Sequence, residues 1–140
     1  MPVPDDESAP YWAATADGRL VLPRCSRCGR VSHPPGPVCP RCHTTNPEFT
    51  FDAAATRGVV RSWTVIRQSF LPGFDGDLPF VLVDVALEVV DDDAEAGDEV
   101  RLIGRLLDGP DAPMRIGDAV EVRFEQLADG VAVPAFTLVP

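Results

Sequence analysis

Cys25-x2-Cys28 and Cys39-x2-Cys42, with ten residues between the pairs, account for every cysteine in the chain. A single CxxC pair fits metal binding or thiol redox chemistry; a second pair set among turn residues points to metal, because four thiolates can then close around one tetrahedral ion. Gly29 after the first pair and Pro40 inside the second favour tight turns whose backbone amides point at the sulfurs. Zinc is the expected ion. Rubredoxin-like sites hold iron in the same geometry, but the short spacer leaves little room for an enclosing aromatic core. A four-thiolate site has no open coordination position, so its expected role is to staple a segment too small to fold alone. Binding free energies of such sites, on the order of 10–16 kcal/mol near neutral pH, suffice for that. His33 and His43 are the only histidines. His43 directly follows Cys42, yet the four cysteines already complete a tetrahedron, so both histidines read as surface or loop residues.

Charge divides the chain. Between Gly18 and Pro47 there is no Asp or Glu, while Arg19, Arg24, Arg27, Arg30 and Arg41 all fall there; from Asp52 to Asp129 seven arginines face seventeen acids. A weakly basic ribbon on a strongly acidic body is expected, with those five arginines as candidates either for phosphate or partner contacts or for offsetting their own thiolates. A net charge of −10 argues against long nucleic acid, which needs a broad positive footprint. No apolar run approaches the ~20 residues that span a bilayer. The acidic, proline-containing start is unlike a secretory signal, so a cytoplasmic, globular chain is expected.

The remaining pattern is mainly β. Ser8 can cap a short helix holding Tyr11 to Ala14, with Gly18 as its stop. Alternation marks strands in Val59 to Arg67, Val81 to Val89 and Val120 to Glu125, and more weakly in Val100 to Leu107 and Val133 to Val139. Five strands separated by Gly, Pro and Asp turns suggest a small antiparallel barrel, with the OB-fold as the natural candidate. The expected organisation is a helical segment at 1–19, a zinc ribbon at 20–48 and an OB-fold domain at 49–140.

Two loops stand out. The acidic stretch at 90–99 reads as a solvated excursion. Between Gln68 and Pro79, Phe70, Leu71, Phe74 and Leu78 lie among Pro and Gly; water does not favour such a loop unless something covers it, and folding back onto its own barrel would serve equally well. Catalytic signatures are missing: no G-x-S-x-G, H-E-x-x-H, Walker A or G-x-G-x-x-G occurs, and the cysteines are committed to metal. The chain reads as a binding module.

The ordered set Tyr11-Trp12, Gly18-Arg19-Leu20, Arg24-Cys25-x2-Cys28-Gly29, Pro34-Pro35 and Cys39-Pro40-x-Cys42 resembles the thiolase-associated zinc-ribbon and OB-fold family known as domain of unknown function thirty-five. Gly58-Val59-Val60-x-Ser62-Trp63, Leu78-Pro79-Phe80, Ile116-Gly117-Asp118-x-Val120 and Pro134-Ala135-Phe136 look like its later landmarks. The resemblance implies a rubredoxin-like zinc ribbon and a five-stranded OB barrel acting as a non-catalytic accessory subunit. Its partner would be a thiolase-fold enzyme, a thiolase or acyl-CoA aldolase, or a hydratase, working on acyl-CoA in steroid side-chain or other acyl-CoA degradation. Arg19, Arg24, Arg27, Arg30 and Arg41 would then be candidate contacts for CoA phosphates or the partner, and Phe70, Leu71 and Phe74 candidate contacts for the partner or acyl chain. The alternative is a single-stranded nucleic-acid module, since ribbons and OB barrels both serve that role, but the acidic barrel speaks against it.

Overall fold

The computed structural model describes residues 1–54, 56–89 and 99–140. The acidic stretch therefore lies outside the described residues, apart from Glu99. Helix α1 (Ala9–Ala16) carries Pro10 in its first turn, where a missing N–H costs no helical bond. Ser8 stands at the N-cap as expected, but its side chain does not cap the helix. It donates instead to the Asp5 carboxylate at 2.6 Å, which also accepts the Ser8 N–H at 2.8 Å. The stop is a Schellman arrangement: Gly18 takes φ 71°, its N–H bonds the Thr15 carbonyl, and the Arg19 N–H bonds the Ala14 carbonyl.

Strands β1 (Val21–Arg24) and β2 (Thr50–Ala53) flank the cysteine segment and pair antiparallel. The barrel follows with β3 (Arg57–Ile66), β4 (Phe80–Leu87), β5 (Arg101–Leu106), β6 (Ala119–Ala128) and β7 (Val131–Leu138). It closes in the order β3-β4-β5-β7-β6. One pairing departs from the expected antiparallel barrel: β5 and β7 run parallel through Arg105↔Ala135 and Leu106↔Phe136. The strand order requires it: the other four pairings are antiparallel, so β7, folded back on β6 through the tight turn at Asp129-Gly130 with Gly130 at φ 71°, runs the same way as β5.

Alternation sorts the side chains as the sequence suggests. Val81, Val83 and Val85 are buried, with Asp84 between them on the outer face. A bulge between Val60 and Ser62 bends β3. Gly104 lies against the fully buried Phe136 ring, where a Cβ would stand 2.9 Å from ring carbon Cε2 and from the Pro134 carbonyl. One buried cluster joins the parts: Tyr11, Leu20, Leu22 and Val31 from the helix and ribbon merge with Val60, Val83, Val120 and Phe136 of the barrel. Among the described residues, no helix is long and apolar enough to cross a membrane.

Candidate metal centre and contact surfaces

The two knuckles repeat one hydrogen-bond scheme. In the first, the Gly29 N–H bonds the Cys25 carbonyl and the Cys25 N–H bonds the Arg30 carbonyl; in the second, the His43 N–H bonds the Cys39 carbonyl and the Cys39 N–H bonds the Thr44 carbonyl. Each knuckle therefore needs a left-handed residue just after its second cysteine. Gly29 fills the place at φ 75° and His43 at φ 59°. The backbone of His43, rather than its imidazole, serves the site, a role hinted at by its position matching Gly29 in the two CxxC repeats.

These turns gather the four Sγ atoms within 4.8 Å of one another. Cys25 and Cys42 stand 3.9 Å apart and Cys28 and Cys39 3.6 Å. A tetrahedron of thiolates with metal–sulfur bonds of about 2.3 Å has edges of about 3.8 Å, so the four sulfurs fit one ion and form a metal site. The backbone N–H of Arg27 donates to Cys25 Sγ at 3.4 Å. For the metal-free thiols, burial raises Cys28 to about 11. At Cys39 burial acts in the same sense, but N–H groups of Cys42 and Arg41 and the neighbouring thiols outweigh it and bring the group to about 7. Cys25 and Cys39 are buried and Cys42 is exposed.

The five arginines are not brought to one place. Arg24 is engaged within the ribbon, its Nε donating to Asp52 at 2.9 Å and its Nη1 to the Gly29 carbonyl at 2.8 Å. Arg30 is half-buried, with Nε shielded from water. Arg27 and Arg41 are exposed, one on each knuckle. Arg19 lies 3.8 Å from Asp17 and lines a separate groove of about 680 Å³ with Arg123 and Phe124.

The apolar loop does not fold back onto the barrel. Phe70 is 89% exposed, Leu71 66% and Phe74 45%. Its base is fixed: Phe74 lies 6.4 Å from Phe80, over which Arg105 stacks at 5.5 Å, and Arg105 pairs with Asp77 at 3.5 Å and Glu125 at 3.3 Å. The loop tip is thus presented on a held stem. This anchor has no local sequence signal, since Arg105 is far from Phe80 in the chain. Further round the barrel, Arg101 bridges Asp84 at 3.0 Å and Glu99 at 3.1 Å, and Arg61 pairs with Glu99. Tyr11 and Trp12 meet edge to face at 4.9 Å; Tyr11 is buried, which raises its hydroxyl to about 12, so it packs rather than stacks on a ligand.

Residues 12–48 match the family described as "ChsH2, rubredoxin-like zinc ribbon domain", and residues 52–125, more than half the chain, match "ChsH2, C-terminal OB-fold domain". A "DUF35 domain-containing scaffold protein" of Methanocaldococcus jannaschii is 26% identical over 86% of this chain and 81% of its own length. A "Probable enoyl-CoA hydratase alpha subunit" of Thermomonospora curvata is 36% identical over 61% of this chain, but the match spans only 26% of that protein. Among solved structures, a chain of "Ltp2-ChsH2(DUF35) aldolase" superposes with a TM-score of 0.79 at 27% identity, covering 99% of this chain and 98% of that one. A DUF35-family protein of Sulfolobus solfataricus shares the fold, with a TM-score of 0.58 at 12% identity.

Proposed function

Because the chain belongs to the ChsH2 OB-fold family, we propose that it is a non-catalytic accessory subunit that binds a thiolase-fold enzyme and helps hold that enzyme's acyl-CoA. The observation that carries this reading is the end-to-end correspondence with a chain of an aldolase complex. The exposed Phe70, Leu71 and Phe74 on a fixed stem support it, because a soluble chain gains nothing from presenting two aromatic rings to water unless another surface covers them.

Zinc is the proposed ion. Its filled d shell imposes no geometry beyond the tetrahedron the sulfurs already form, and with four thiolates bound it offers no open position, so it supplies fold rather than catalysis. Of the arginines, Arg27 and Arg41 are the proposed phosphate or partner contacts, being exposed on adjacent knuckles, while Arg24 and Arg30 contribute through the ribbon itself. Replacing Arg27 and Arg41 together by Ala is expected to weaken CoA binding to the assembled complex at least tenfold by calorimetry; unchanged affinity removes both from the site. Phe70→Asp with Phe74→Asp is expected to abolish co-purification with the partner while leaving the monomer folded. Co-purification that survives the double change excludes the loop as the interface.

A further inference from the structure

β2 is the outer strand of a two-stranded sheet. The bond from the Ala54 N–H to the Leu20 carbonyl sets the alternation of its pairing with β1. Thr50, Asp52 and Ala54 turn their backbone groups towards β1, so Phe51 and Ala53 turn theirs away. Among the described residues, no backbone bond engages Phe51 or Ala53 on that outer side, and three of the four β2 residues are exposed. A groove of about 400 Å³ adjoins this strand, between the start of α1 and the chain entering β2. Phe49, Phe51 and Pro37 give it apolar walls, and among the described residues its charged lining consists of Asp6, Glu7 and Glu48, with no cation. Phe51 belongs to both features: its backbone faces the open edge and it lines the groove.

An open edge supplies backbone hydrogen bonds to any extended chain, and the neighbouring groove decides which chain. We infer that β2 and this groove dock an extended, basic segment of the partner enzyme. The segment adds as a third strand outside β2, seats an apolar side chain against Phe49 and Phe51, and sets Lys or Arg against Asp6, Glu7 and Glu48. Charge selects this occupant over a second copy of the chain. A copy would bring its own acidic groove against this one in a molecule of net charge −10, whereas a basic segment meets a complementary rim.

The inference rests on the accessory-subunit reading. Its test is amide hydrogen exchange of the chain alone and in complex with the thiolase-fold enzyme that co-purifies with it. The Phe51 and Ala53 amides are expected to slow at least tenfold in the complex, while those of Thr50 and Asp52, already bonded to β1, change little. Glu7→Lys with Glu48→Lys, both at exposed positions, is expected to weaken the complex at least tenfold and to flatten its salt dependence. A complex in which the loop at Phe70 and Leu71 is protected but Phe51 and Ala53 exchange as before overturns this inference and leaves the accessory reading standing. Protection of Phe51 and Ala53 that appears without the enzyme and grows with chain concentration assigns the edge to a second copy and overturns it too. No complex at all removes the reading and the inference together.

Discussion

His43 and His33 show how far a single residue's role depends on its backbone and its burial. At φ 59° His43 occupies the region where a β-carbon costs roughly 1–2 kcal/mol, although histidine tolerates it better than most residues. His43→Gly is therefore expected to keep one metal per chain and hold or raise the melting temperature, and His43→Val to lose about 1–3 kcal/mol. Metal analysis and thermal melts check both; loss of metal in both variants would instead make the imidazole a ligand. His33 packs 5.2 Å from the Tyr11 ring, with its Nδ1 buried and no hydrogen-bond partner among the described residues. Burial holds its pKa below the ordinary 6.5. A depressed histidine pKa means the unfolded chain takes up the proton first, so stability is whole above about 6.5 and falls as pH drops below it. His33→Phe is expected to flatten that acid-side loss, measured as the difference between the two proteins' melting curves from pH 7.5 to 5.5, which cancels metal loss common to both. Equal slopes would contradict it. The cysteine ligands were legible because CxxC spacing is local; the burial of His33 was not, since it depends on α1, some twenty residues earlier.

Among the elements, the long alternating strands could be read directly and the short ones could not. β4 and β6 announce themselves by period-two valines, whereas β1 and β2, with four residues each and Pro23 in β1, are too short for a period to register. Their pairing exists because the metal knuckles bring their ends together. The parallel β5–β7 contact was likewise hidden: alternation fixes which face is buried but not which strand lies alongside. Gly104 lies close against β7. Gly104→Ala would press a methyl onto Phe136 and the Pro134 carbonyl and is expected to cost about 1–3 kcal/mol, read from denaturant midpoints. A midpoint unchanged from the parent would mean that β7 has room to move away.

For the whole molecule, the ribbon, helix and barrel share one apolar cluster, so metal removal should weaken more than the ribbon. Chelation is expected to lower the melting temperature of the entire chain in one transition; a barrel melting unchanged would show that the parts are independent. Charge asymmetry was visible in the sequence, but the five arginines it singled out are not gathered in one place, and Arg24 pairs with Asp52 across a strand pairing that spacing could not foresee. The apolar loop was equally visible, and only the fold shows it standing clear of the barrel. Whether that surface is an interface is decided by isolating the chain at native level from its host and weighing the assembly by native mass spectrometry. A fixed-ratio complex with a thiolase-fold enzyme is the expected result; a chain that runs alone, or with nucleic acid in place of an enzyme, would contradict the accessory role.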